Sequence, residues 1–177
     1  MSQSVVLITG ALSGIGRAAA VSFAKAGHRV VVSGRKQDAG QALVGELRSL
    51  GAEAEFVQAD VRSEDDVRRL VDRTIERFGR LDVAVNNAGT EGQVGPITDQ
   101  TAESYAATFD TNVLGVILSM KHEVRVMKGS AAAASSTSPR PTGTKARRRL
   151  PSMSAASTPS KASPSRWRSK SRSRGSA

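Results

Sequence analysis

Apolar residues along the first 128 positions fall into two alternating rhythms. Short unbroken runs occur at 4–8, 29–33, 55–59 and 81–85. Their continuity, rather than a period of two, predicts strands covered on both faces. Between them the apolar spacing changes to 3.6. Residues 14–26 read as a helix stopped by Gly27, and 37–50 as a helix with Leu43, Leu47 and Leu50 on one face, stopped by Gly51. Ser63 starts a third, with Asp66 completing a capping-box-like pair. Its apolar face is Val67, Leu70, Val71, Thr74, Ile75 and Phe78, ending at Gly79. Helical sequence resumes from about 102 to 127. Four strand–helix alternations with short connections predict an α/β fold, a doubly wound parallel sheet of about four strands.

Composition changes this picture at one place. The formal net charge is +10, which by itself suggests a nucleic-acid partner. All 16 acidic residues, however, precede Gly129, where 15 basic residues nearly balance them; the remaining 11 basic residues lie in 129–177 with no acid among them. The expectation is therefore a globular segment, 1–128, and a disordered Ser/Arg/Pro/Ala-rich tail, 129–177, too poor in large apolar residues to offset its ordering entropy. Cysteine is absent, which excludes disulfides and thiolate metal sites. No apolar run approaches a membrane span, so a cytoplasmic protein is expected.

Candidate chemistry collects where the predicted strands end. Residues 9–16 read T-G-A-L-S-G-I-G, between an apolar run and an alanine-rich helix. Gly10 suits a tight turn, Gly14 a close backbone approach to pyrophosphate, and Gly16 close packing of the helix. The helix start supplies free N–H groups and the positive dipole end for phosphates. The other strand ends carry Ser33-Gly34-Arg35, Asp60-Val61 and Asn86-Asn87-Ala88-Gly89, and one ligand could touch all four.

In these residues, together with T-N-V-L-G at 111–115, the first 128 positions resemble the short-chain dehydrogenase/reductase family, whose fold is a Rossmann-like sheet. The resemblance implies that Gly10, Ser13, Gly14, Ile15 and Gly16 hold a cofactor pyrophosphate. It implies that Asp60 accepts from the adenine amino group with Val61 against the ring, and that Asn87, Ala88 and Gly89 line the nicotinamide side. Asn112 matches the catalytic asparagine, and Asn86 is expected to hold strand ends together. An acid at the end of the second strand would select NAD; here Arg35 and Lys36 stand there, with Arg17 after the glycine loop, so NADP is expected, with NAD as the alternative. The implied partner is a small alcohol or carbonyl substrate; homo-oligomers are usual in the family and doubtful for this chain.

The same resemblance exposes what is missing. The family's proton donor is a tyrosine with a lysine four places on and a serine about a dozen before. The one tyrosine here is Tyr105, which precedes Asn112 and has Phe109 at the fourth place. Reading the tail codons one frame over can restore I-V-N-I at 135–138, serine at 140, tyrosine at 153 and lysine at 157. The tail is thus expected to be a frameshifted translation, and the chain a truncated, inactive oxidoreductase with an uncovered apolar sheet edge. The alternative is a dinucleotide module whose basic tail contacts nucleic acid through phosphates. His28 and His122 read as isolated surface residues, and Asp82 as a turn support.

Overall fold

The computed structural model describes residues 3–136 of the 177. The order is β1 (Val5–Thr9), α1 (Gly14–Lys25), β2 (Arg29–Gly34), α2 (Gln37–Ser49), β3 (Ala54–Gln58), α3 (Glu64–Phe78) and β4 (Val83–Asn86). Then come a 3₁₀ turn (Ile97–Asp99), α4 (Ala102–Phe109), a π-helical turn (Asp110–Leu114) and α5 (Gly115–Ser136). The four strands form one parallel sheet in the order β3-β2-β1-β4. The incomplete doubly wound architecture expected from the sequence is therefore present.

The strands sort their side chains by parity, as a pleat requires. Val6, Ile8, Val30 and Val32 pack with Ala20 and Ala24 of α1 and Leu43, Val44 and Leu47 of α2. Val5, Leu7 and Val31 face the opposite way, toward Leu70, Val71 and Phe78 of α3 and Val126 and Met127 of α5. Val5 to Ile8 are each 0 % exposed; burying four such side chains contributes roughly 1.5–3 kcal/mol apiece. Strand β1 is central because both of its faces are lined.

The order of strand addition switches sides at β1. Strands β2 and β3 add on one side of it, and α3 then carries the chain across so that β4 pairs on the other. Helix α3 is well delimited: Ser63 Oγ accepts from the Asp66 N–H, and Gly79 closes it at φ 75°. The loop side of Asp82 is also fixed. Its carboxylate accepts from the Val5 N–H at 2.8 Å and pairs with Arg80. Burial pushes Asp82 up, but Arg80 and the Val5 N–H outweigh it and hold the carboxyl below its usual range.

The structure differs from the sequence reading at three places. Strand β4 begins two residues later than expected, with Leu81 buried in the α3-side core ahead of it. The segment expected as one helix from 102 is interrupted by the π turn at Asp110–Leu114, where one extra residue enters the turn. Helix α5 runs to Ser136, eight residues past the composition boundary; the alanine run there has the highest intrinsic helix propensity. The rest of the expected disordered tail, 137–177, lies outside the described residues.

Strand β4 is an end strand, and all four of its residues are half-buried. Along α4, the π turn and α5, Tyr105, Phe109, Val113, Ile117, Met120 and Val124 are exposed. Among the described residues no helix is long and apolar enough to cross a membrane.

Candidate dinucleotide site

The carboxyl ends of the strands open into one groove of about 1010 Å³. Gly10, Ser13, Gly14, Ile15, Arg35, Asp60, Val61, Asn87, Ala88 and Gly89 all line it. Ten of the twelve sequence-predicted residues are thus brought together. Gly16 lies buried beneath the loop, and Asn112 stands behind the loop that follows β4.

The groove floor is built on Thr9, a residue given no role by the sequence reading. Its hydroxyl accepts from the Asn87 and Ala88 N–H groups at 3.2 and 3.3 Å. Asn87 answers with its side chain, donating to the carbonyls of Thr9 at 3.2 Å and Gly10 at 3.0 Å. The first and fourth strand ends are thereby tied together. Gly10 adopts φ 64°, and a Cβ on it would meet the Ala88 Cα at 2.6 Å. A Cβ on Gly16 would meet the Gly10 carbonyl and the Asn87 side chain, so this glycine admits loop against loop more than helix against strand.

The start of α1 leaves its donors open. Ser13 is the N-cap but makes no side-chain cap bond, and the first turn holds no acid. An unsatisfied, unneutralised helix N-terminus facing a groove suits an anion. Ile15 beside it is 82 % exposed. Farther along the groove are Arg35 and Lys36, both exposed. Arg17 is not part of this cationic end; it pairs with Glu46 at 2.6 Å.

Asp60 is both a turn residue and a groove residue. Its carboxylate accepts from the Arg62 N–H at 3.1 Å and from the Arg62 guanidinium at 2.6 to 3.1 Å. The Arg62 hydrogen bonds hold it below the usual carboxylate range, against a smaller opposing push from burial. Its own N–H donates to Asp66 Oδ2. At the other end Asn112 makes a reciprocal pair with the main chain of Thr90, accepting from its N–H and donating to its carbonyl, each at 2.8 Å. Asn112→Ala should release the 89–93 loop, at a cost of about 1–3 kcal/mol for two lost bonds. Faster amide exchange at Thr90, with exchange in β1 unchanged, is the expected readout.

Two buried polar residues had no audible signal in sequence. Glu123 of α5 is 3 % exposed and accepts from Asn86 Nδ2 at 2.9 Å. Burial pushes its carboxyl above the usual range, more than the Asn86 bond lowers it. Asn86, expected to hold strand ends together, instead joins β4 to α5, while Asn87 makes the strand-end tie. His122 is not a surface residue: it is 7 % exposed, with Nε2 3.2 Å from Glu64 Oε1. Its partner lies 58 residues earlier, which no local pattern reveals. His28 is half-buried, edge-on to Phe23. Among the described residues no cluster of His, Asp and Glu could hold a metal.

A glycine-lined groove where the strand order switches sides, with an open helix N-terminus at one side and cations beyond it, defines a doubly wound dinucleotide-binding domain. Residues 4–138 match the family described as short chain dehydrogenase. The chain belongs to the short-chain dehydrogenase/reductase family. It is 37 % identical over 131 residues to a 3beta-hydroxysteroid dehydrogenase of Mediterraneibacter gnavus, covering 74 % of this chain and 48 % of that one. Among solved structures it is similar to a short-chain dehydrogenase/reductase of Burkholderia phymatum in complex with NAD, with a TM-score of 0.70 and 35 % identity, covering 73 % of this chain and 46 % of the other. It is also similar to an F189W actinorhodin polyketide ketoreductase with NADPH, with a TM-score of 0.67 and 37 % identity, covering 70 % and 47 %. The chain spans about half the length of the relatives it matches.

Proposed function

We propose that this chain binds a nicotinamide adenine dinucleotide, NADP(H) in preference to NAD(H), in the groove at the ends of β1 to β4. The observation that carries this reading is the convergence of the open α1 N-terminus, Asp60 and Arg35 on that one groove. The pyrophosphate takes the free N–H groups of residues 13–16, and the adenine amino group donates to Asp60. The nicotinamide side lies against Asn87 to Gly89. The dinucleotide would supply or accept a hydride; the protein's residues here bind and orient it.

Cofactor choice rests on charge at the end of β2. Arg35 and Lys36 suit a ribose 2′-phosphate, and Ser33 to Lys36 at the end of β2 include no carboxylate that would select the 2′-hydroxyl. Arg35→Ala should lower the affinity for NADPH by about tenfold, the scale of one charge-assisted phosphate contact, and leave NADH nearly unchanged. Titration of cofactor fluorescence checks this; equal affinities for both cofactors in the parent chain would defeat the NADP preference.

By family the reaction is oxidation of an alcohol or reduction of a carbonyl. The proton in that step needs an acid/base at the substrate oxygen. Tyr105 is exposed on α4 and stacked on Phe109 at 4.2 Å, outside the groove lining. We therefore propose that 1–177 binds cofactor without turnover, and that the 129–177 tail is produced by a frameshift. In the same titration, addition of simple secondary alcohols should yield no reduced cofactor.

A further inference from the structure

Taking the groove as an NADP(H) site, we propose that Gln58 is a positioning residue for cofactor choice: it holds the Arg35 peptide so that the guanidinium meets the ribose 2′-phosphate. Gln58 is the last residue of β3, outside the recognised motifs, and it is not among the residues that line the groove. Its effect on a bound cofactor therefore passes through Arg35.

The turn between β2 and α2 is held carbonyl by carbonyl. The Ser33 carbonyl accepts from the Ala11 N–H at 3.0 Å, and the Gly34 carbonyl from the Ala59 N–H at 3.2 Å. The Lys36 carbonyl accepts from the Gly40 N–H of α2 at 3.1 Å. Between these, the Arg35 carbonyl accepts from Gln58 Nε2 at 2.8 Å. Only this last bond is made by a side chain, and it falls on the residue whose charge the phosphate would meet. The glycine loop closes the turn from the other side: a Cβ on Gly34 would meet Leu12 Cδ1 at 2.6 Å.

Arg35 is exposed and lines the groove. Arg17 and Arg62 pair with Glu46 and Asp60, whereas Arg35 forms no ion pair among the described residues. The Arg62 bonds hold the Asp60 carboxyl low, and the Arg35 charge adds to them, so that charge is felt at the end of β3. A long, unpaired side chain samples many rotamers. Fixing the main chain beneath it narrows the positions the guanidinium reaches, and less freedom is lost when a phosphate binds. A planar fork needs that alignment more than a point charge does. NADH lacks the 2′-phosphate and makes no such demand.

The test titrates NADPH and NADH into the full 177-residue chain. The parent should prefer NADPH. Gln58→Ala removes the donor, and Gln58→Asn keeps the amide but shortens its reach by one methylene. Each should bind NADPH about three- to fivefold more weakly, the scale of one modest hydrogen bond, and bind NADH unchanged. The same substitutions made together with Arg35→Ala should weaken NADPH no further than Arg35→Ala alone, because Gln58 acts through that guanidinium. Equal weakening toward both cofactors, no weakening toward NADPH, or an undiminished loss in the Arg35→Ala background would overturn the inference and leave the site reading standing. A parent that binds neither cofactor, or both equally, would overturn the NADP(H) reading and the inference with it. Thermal unfolding of both variants should match the parent, since Gln58 is exposed. A lowered midpoint in both would make Gln58 a residue of the fold and overturn its assignment to cofactor choice.

Discussion

Gly10→Ala should disrupt the groove and remove a sizeable share of the domain's stability margin. At φ 64° an alanine costs about 1–2 kcal/mol in the left-handed region. Its Cβ would also lie 2.6 Å from the Ala88 Cα and 2.9 Å from the Ala88 nitrogen. Those are main-chain atoms of the neighbouring strand end and cannot rotate away. Overpacking of that kind adds about 1–3 kcal/mol, giving a loss of roughly 2–5 kcal/mol. Gly14→Ala is the informative comparison. Its φ of 53° carries the same strain, yet nothing lies within 4 Å of its Cβ. Denaturant unfolding should therefore show the Gly10 variant well below the Gly14 variant, with cofactor binding lost in the first. Equal losses in the two would mean that backbone strain alone, and not the approach of β4, demands glycine at position 10.

Glu123→Gln should stabilise the chain at neutral pH by about 1–2 kcal/mol, since a buried carboxylate without a cation is replaced by a neutral acceptor of the same shape. Glu123 accepts from Asn86 Nδ2, and burial raises its carboxyl above the ordinary value of 4.5. The sign follows from linkage. In the unfolded chain the group ionises near its ordinary value, while in the fold it keeps its proton to higher pH. Stability associated with the protonated form is complete below the ordinary value and is lost as pH rises through the raised one. Unfolding curves of parent and variant should thus converge near pH 4 and separate progressively as pH increases. A constant gap across that range would show that the carboxyl ionises as freely inside the fold as outside.

Much of this architecture was legible in the sequence because its signals are local. Continuous apolar runs marked the strands, Ser63 and Gly79 marked the two ends of α3, and the glycine-containing strand ends marked the groove. What escaped depends on long-range partners or on a single-residue change of phase. The pairing of Glu123 with Asn86 spans 37 residues and that of His122 with Glu64 spans 58. An isolated histidine on a helix looks solvated until its neighbour is known. The π turn at Asp110–Leu114 keeps helical composition on both sides, so a 3.6-period reading runs straight through it. Asp60 illustrates a different limit. Its place at a strand end was legible, but the Arg62 fork that engages both of its carboxylate oxygens was not.

The strand order has a consequence for how the domain comes together. The clasp between Asn87 and the Thr9–Gly10 carbonyls joins residues 77 and 78 positions apart, so β1 must hold its place until the fourth strand arrives. Closing a chain loop of that size is among the most entropically demanding steps available to the domain, though the demand grows only as the logarithm of the span. A ligand lying across both strand ends binds only after that closure. Its occupancy therefore acts as a latch on that closure, and by mass action a saturating dinucleotide stabilises the closed seam.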